Sequence, residues 1–408
     1  MKLDRRTFLR GSGALGALGV LGLPGAALAA SPNRTKFVFV MNYGGWDPTR
    51  VLAPEFANPN VDMERDAEEA TLGDLSFVDH ADRPAVRTFF ERHGASSLIV
   101  KGVLVPSVAH ENCLRIALTG STAQDRSDWG AIVGGARASD FPIPQVVVGG
   151  PSFPGEYGAY VTRTGTSGQI EGLLSGDIAT WSDIPVGRPS TRAEDVMDAF
   201  LARRYAAAAD SARAGREAVL RSAQDVALDR GTYLKSLLHE VDWSTTSFAG
   251  QARLAAQLLG LGVSRVATLG FSYSGWDTHA NNDLYQSGNW QALFSQLLDL
   301  VEELGRWPGE SAATLAEETV LVVLSEMGRT PKLNSNDGKD HWPYTSALLM
   351  GPGLTGGRVI GGYDTYYYGE TIDPATGELD PNGENLAAEA LGATLLQLAG
   401  VDPEEHTP

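Results

Sequence analysis

The chain has 408 residues, 50 of them acidic and 32 basic, for a formal net charge of −18. So acidic a protein is unsuited to nucleic acid or to an anionic membrane surface. Its single cysteine, Cys113, excludes an internal disulfide, so stability must come from packing or bound metal.

The first element in chain order is an address. Asp4-Arg5-Arg6-Thr7-Phe8-Leu9-Arg10 leads into a Gly/Ala-rich apolar run from Gly11 to Leu23, and Ala27-Leu28-Ala29 offers a small-x-small cleavage pattern. This is the pattern of a twin-arginine signal peptide over residues 1–29. The apolar run is too short and too rich in glycine for a bilayer span, which takes about 20 apolar residues. The mature chain is expected to begin near Ala30, to be periplasmic or secreted, and to have no transmembrane anchor. Without Lys2, Arg5, Arg6, Arg10 and Asp4 its charge becomes −21. The implied partner during export is the twin-arginine translocation machinery. That route carries folded cargo, which is compatible with metal inserted beforehand.

Beyond the signal, β-branched apolar runs alternate with helical patterns, as in an α/β sheet. Strands are predicted at 37–41, 97–100 with 102–105, 144–148, 264–269 and 319–324. Their nearly unbroken hydrophobicity suits a parallel sheet covered on both faces. Helices are predicted at 84–93, 248–259, 290–304 and 386–398; Pro84 and Gly94 supply start and stop signals for the first. From Thr191 to Glu240 the chain is rich in Ala, Arg, Asp and Glu at helical spacing and has no strand signal. We read about 177–242 as a helical insertion over one edge of the sheet, entered through a Gly/Ser-rich stretch at 149–176. Residues 30–408 otherwise form one α/β domain.

Chemistry-bearing residues follow the strands. Asn42-Tyr43-Gly44-Gly45-Trp46-Asp47 comes after the first, and Pro106-Ser107-Val108-Ala109-His110-Glu111 after the second. Ser274-Gly275-Trp276-Asp277-Thr278-His279 follows 264–269. Ser325-Glu326-Met327-Gly328-Arg329 follows 319–324, and Gly338-Lys339-Asp340-His341-Trp342 lies in the loop beyond. Sites in open parallel sheets form outside the carboxyl ends of strands. Asp47, Asp277, Glu326 and Asp340 offer oxygen, and His279 and His341 offer nitrogen, to one or two divalent ions. A mixed O/N set favours zinc or manganese, and an all-oxygen subset suits calcium or magnesium. Arg329 is suited to a forked contact with phosphate or sulfate oxygens.

Each residue also has a plainer reading. Asp47, before Pro48, fits a turn or cap. Asp277 fits an N-cap, Glu326 fits an ion pair with Arg329, and Asp340-His341 fits a hydrogen-bonded pair. His80, His93, His239 and His406 are read as structural. Convergence of the four strand ends carries the metal reading.

The same residues bear a resemblance. Gly-Gly-Trp-Asp, Gly-Trp-Asp-Thr-His-Ala-Asn, Ser-Glu-Met-Gly-Arg-Thr and Gly-Lys-Asp-His-Trp are followed by Gly356-Gly357-Arg358-Val359-Ile360-Gly361 and Ala393-Thr394-Leu395-Leu396. In this order they resemble the exported bacterial domain-of-unknown-function 1501 family, related to the alkaline phosphatase and sulfatase superfamily. The resemblance implies a three-layer α/β/α sandwich with a mostly parallel sheet and a metal-assisted site for phosphate or sulfate esters. It places Asp47 at the first metal-binding aspartate, Asp277 and His279 at the Asp/His pair, and His341 at a later ligand histidine. It sets Glu326 and Met327 where the superfamily has Asp and His. Leu118-Thr119-Gly120 resembles the end of the helix that starts with the nucleophile, which puts His110 at that position. His110 is then a nucleophile, a further ligand or a general acid/base, and Ser107 is a weaker candidate nucleophile. No Cys-x-Pro-Ser-Arg stretch is present, which disfavours a formylglycine sulfatase.

The expectation is an exported metal-dependent hydrolase of small-molecule phosphate or sulfate esters, with His110 and Arg329 acting on the substrate. The alternatives are a catalytically inactive binding or assembly protein on the same fold, and isomerase or phosphotransfer chemistry.

Overall fold

A computed structural model describes residues 34–164, 190–209, scattered positions from 228 to 245, 247–271 and 275–407. The signal peptide and most of the expected insertion lie outside the described residues. In chain order the principal elements are β1 (Lys36–Asn42), β2 (Glu68–Leu72), β3 (Leu75–Asp79), α1 (Pro84–His93), β4 (Ser97–Leu104), α2 (His110–Thr119), α3 (Trp129–Gly135), β5 (Gln145–Val147) and β6 (Val161–Arg163). After these come α4 (Thr191–Ala209), α5 (Phe248–Gly260), β7 (Val266–Phe271), α6 (Asn282–Gly305), β8 (Thr319–Ser325), β9 (Gly328–Arg329), β10 (His341–Trp342), β11 (Tyr344–Met350), β12 (Arg358–Ile360) and α7 (Ala388–Leu398). No described helix is long and apolar enough to cross a membrane.

Eight strands form one sheet in the order β12-β4-β11-β8-β1-β7-β5-β6. Neighbours run parallel except at β11, which is antiparallel to both β4 and β8. β1 explains the layering. All seven of its residues are buried, and alternate side chains leave opposite faces. Val38 and Val40 join an apolar cluster with Phe89 of α1, Leu254 of α5 and Phe294 of α6. Phe37, Phe39 and Met41 join a second cluster with Ile116 of α2, Ile132 of α3 and Leu395 of α7. The result is a three-layer α/β/α sandwich with a core on each face of the sheet.

Most predicted elements occur close to their expected bounds. The 97–100 and 102–105 runs are one strand, β4. α6 begins at Asn282, well before the predicted Trp290, because its first turns bury Asn282, Gln286, Ser287 and Asn289 instead of apolar side chains. Since β4 and β8 both oppose β11, strands β1, β4, β7 and β8 all point the same way. Their carboxyl ends share one rim of the sheet.

Candidate metal centre

That rim gathers side chains from distant segments. His110 opens α2 just after β4, Glu326 directly follows β8, and Asp277 and His279 sit in the turn between β7 and α6. The short β9–β10 ladder sets His341 opposite Arg329. Two glycines permit the close approach. Gly44 has φ +118, and a Cβ there would lie 2.8 Å from Trp276 Cβ. A Cβ on Gly338 would lie 2.0 Å from the His279 carbonyl carbon. Lacking one, the loop comes near enough for Lys339 N–H to donate to the Thr278 carbonyl at 2.9 Å. The turn bearing Asp277 and His279 is thereby joined to the segment bearing Asp340 and His341.

Three imidazoles are oriented alike. His110 Nδ1 lies 2.7 Å from Glu326 Oε1, His341 Nδ1 lies 2.7 Å from the Val108 carbonyl, and His279 Nδ1 lies 2.8 Å from Asp340 Oδ1. With the proton on Nδ1, toward its acceptor, a neutral imidazole keeps a lone pair on Nε2. Those Nε2 atoms turn toward Asp277. His341 Nε2 and His279 Nε2 are 3.0 and 3.2 Å from Asp277 Oδ1 and 3.1 Å from each other. His110 Nε2 is 3.5 Å from Asp277 Oδ2. Ligand atoms of His110, Asp277 and His341 all fall within 4.8 Å of one another.

This donor set fits a divalent cation. Tetrahedral zinc with bonds of ~2.0–2.2 Å holds its ligand atoms roughly 3.3 Å apart, close to the separations around Asp277. Anchoring the far ring nitrogen on a carboxylate or carbonyl is the usual way to orient a histidine ligand.

The supporting groups are buried. Glu326 accepts from Gly44 N–H and from Ser325 Oγ, each at 2.9 Å, besides facing His110. It does not pair with Arg329. The buried Arg329 guanidinium instead donates to the carbonyls of Gly45 (2.8 Å), Lys339 (3.2 Å), Trp276 (3.2 Å) and Gly44, and to Asp277 Oδ1 at 2.6 Å. Burial pushes the Asp277 carboxyl up, but the Arg329 bond and charge outweigh it and lower the pKa to about 2. The bond to Glu326 raises the His110 pKa against the opposing effect of burial.

Asp47, expected among the ligands, is not brought to the imidazoles. It is fully buried and caps the short helical turn Pro48–Arg50. Its Oδ1 accepts from Thr49 N–H (3.1 Å) and Thr49 Oγ (2.6 Å). Its Oδ2 receives Lys339 Nζ and Asn282 Nδ2, each at 2.9 Å, with Arg50 at 3.6 Å. Burial would raise its pKa, yet Lys339 and Arg50 hold it well below the usual carboxylate range. Lys339 is lowered to about 8 by burial, with Arg50 acting in the same direction against the pull of Asp47. Asp340 reaches the cluster through His279. Met327 and Cys113 are buried in the second apolar cluster.

Two participants carry no signal as ligands or supports in the sequence. The Val108 carbonyl, which orients His341, is a backbone group. Tyr43, whose ring lies 5.4 Å from His110, is one tyrosine among twelve. Lys339 lies within Gly-Lys-Asp-His-Trp, but its pairing with Asp47 has no signal in the sequence.

Residues 188–408 match the family model described as a protein of unknown function (DUF1501), and residues 2–22 match the twin-arginine translocation pathway signal sequence. The signal directs export to the periplasm or beyond the cell. No curated protein matches the chain. Among solved structures, it is similar to a protein in the alkaline phosphatase superfamily from Vibrio parahaemolyticus, with 8% identity and a TM-score of 0.41 over 98% of this chain and 76% of the other. It is also similar to Ps i-CgsB, solved in complex with k-i-k-neocarrahexaose, with 10% identity and a TM-score of 0.35 over 92% and 74% of the two chains.

Proposed function

The chain belongs to the DUF1501 family, and from that premise we propose that it is an exported metal-dependent hydrolase of phosphate or sulfate esters. One observation carries the reading: three imidazoles have Nδ1 anchored and Nε2 turned inward on a single carboxylate. His110, His341 and Asp277 would hold the ion, with His279 beside them as a further donor and zinc favoured by the imidazole nitrogens. The order of the motifs and their resemblance to the alkaline phosphatase and sulfatase superfamily suggest the ester class.

A bound divalent ion would supply Lewis-acid stabilisation of charge developing on an ester oxygen. The chain's own residues prepare the place. Glu326 fixes the His110 ring, Asp340 fixes His279, and the Val108 carbonyl fixes His341. Arg329 holds Asp277 ionised and in position. In this reading His110 is a ligand instead of a nucleophile, and Arg329 positions a ligand instead of gripping the substrate. Hydrolysis adds water across the P–O or S–O bond and releases the alcohol.

The test is elemental analysis of the mature protein and of His341→Ala, together with chromogenic phosphate and sulfate esters. The reading expects close to stoichiometric metal, its loss in the variant, and metal-dependent turnover. Unchanged metal in His341→Ala would refute it. A binding or assembly protein is the second reading, favoured by the full engagement of Arg329 and by Ser325 Oγ being bonded to Glu326. Stoichiometric metal without turnover of any ester would select it.

A further inference from the structure

Among the described residues, the centre is rich in negative charge and has no lysine or arginine to spare. Asp277, Glu326 and Asp340 are bonded into the cluster, and Glu111 stands beside His110 at the start of α2. Among the described residues, Arg329 is the only lysine or arginine bonded to these groups, and it is fully buried with its guanidinium on four carbonyls and Asp277. Lys339, the nearest other cation along the chain, is fully buried on Asp47 and Thr49. Four carboxylates and one guanidinium leave about three negative charges, which a single divalent ion reduces to about one. Among the described residues, no second lysine or arginine is bonded here to neutralise the non-bridging oxygens of a doubly charged ester.

Beside the cluster lie exposed side chains of another kind. Tyr43 and Val108 are each 51% exposed. The Tyr43 ring faces His110, and Val108 lies on the segment whose carbonyl orients His341. Exposed apolar surface beside the cluster suits a substituent that carries no charge.

We infer that this site selects esters bearing one negative charge, phosphodiesters or sulfate monoesters with an apolar substituent, and rejects the phosphate monoester dianion. The inference rests on the hydrolase reading and adds to it a rule of substrate charge. Like charges brought together are disfavoured, and here Asp277, Glu326, Asp340 and Glu111 supply them.

Turnover by the metal-loaded mature protein can be compared for 4-nitrophenyl phosphate, bis(4-nitrophenyl) phosphate and 4-nitrophenyl sulfate at pH ~8, where a phosphate monoester has lost its second proton. At least one singly charged ester is expected to exceed the dianion by ~10-fold or more in kcat/KM. A faster dianion would overturn the rule. Calorimetric titration with diphenyl phosphate and phenyl phosphate separates this rule from catalysis. If no ester is hydrolysed, the hydrolase reading falls, while phenyl phosphate binding as tightly as diphenyl phosphate overturns the charge rule on its own. Glu111→Lys, at an exposed position outside the bonded cluster, should shift the ratio several-fold toward the dianion, with the shift shrinking as salt is added. An unchanged ratio counts against the rule.

Discussion

The Asp47 carboxylate meets the Lys339 ammonium at 2.9 Å with neither side chain reached by solvent. Lys339 directly precedes Asp340 and His341, so this pair ties the loop after β1 to the loop that delivers two members of the cluster. Asp47 thus acts at a distance from the imidazoles. Asp47→Asn keeps the side-chain size but leaves Lys339 and Arg50 without their shared anion. Removing one partner of a buried pair costs about 3–5 kcal/mol. Urea unfolding of the variant should show a loss of that order, while its folded fraction keeps the metal content of the parent. A variant of unchanged stability that had lost its metal would make Asp47 a ligand.

The same carboxylate predicts the acid limb of the stability curve. Its folded pKa lies below the value of ~3.9 that an aspartate has in the unfolded chain. The unfolded state therefore takes up the proton first as pH falls. The stabilisation is fully present above that unfolded value and is lost progressively as pH drops toward the folded one. Unfolding free energies measured between about pH 2 and 5 should fall less steeply in Asp47→Asn than in the parent protein. Equal slopes would mean that folding does not lower the Asp47 pKa.

What the sequence made legible follows from how locally each feature is encoded. β1, β7 and β8 are buried on both faces, so their apolar runs stood out, and α1 carries Pro84 at its start and Gly94 just past its end. β11 was missed because its first half reads Tyr-Thr-Ser. Thr345 and Ser346 are nevertheless buried, with their hydroxyls bonded to Trp46 Nε1 and Tyr363 OH. Buried polar residues hid the start of α6 in the same way. At the site, ligand-type residues could be recognised after each strand. Their division of labour could not, because it depends on which cation reaches which carboxylate across the fold. Lys339 takes Asp47 and Arg329 takes Asp277, and neither pairing has a local sequence signature.

Glu326→Gln tests the anchoring of His110. The amide oxygen can still accept from Gly44 N–H, so little stability should be lost. The same oxygen faces His110 Nδ1, but the negative charge is removed, which weakens the bond that orients that ring. Loss of such an outer partner typically costs 10–100-fold in metal affinity. Chelator competition should show a decrease in that range with an unchanged thermal midpoint. Full affinity would mean that the charge of Glu326 does not support the His110 ring.

Arg329→Lys distinguishes a supporting cation from one that grips substrate. Lysine preserves the charge but lacks the planar fork that reaches four carbonyls and Asp277 together. Most of those carbonyls are buried and would lose their donor, with a cost of about 1–3 kcal/mol for each acceptor left unsatisfied. The variant should therefore unfold at distinctly lower urea concentration. It should also bind metal more weakly, because Asp277 loses the 2.6 Å contact that fixes it. An anion-gripping arginine predicts another pattern: stability and metal content close to the parent, with KM for the ester raised. Measuring unfolding, metal affinity and KM on this one variant assigns Arg329 to the scaffold or to the substrate.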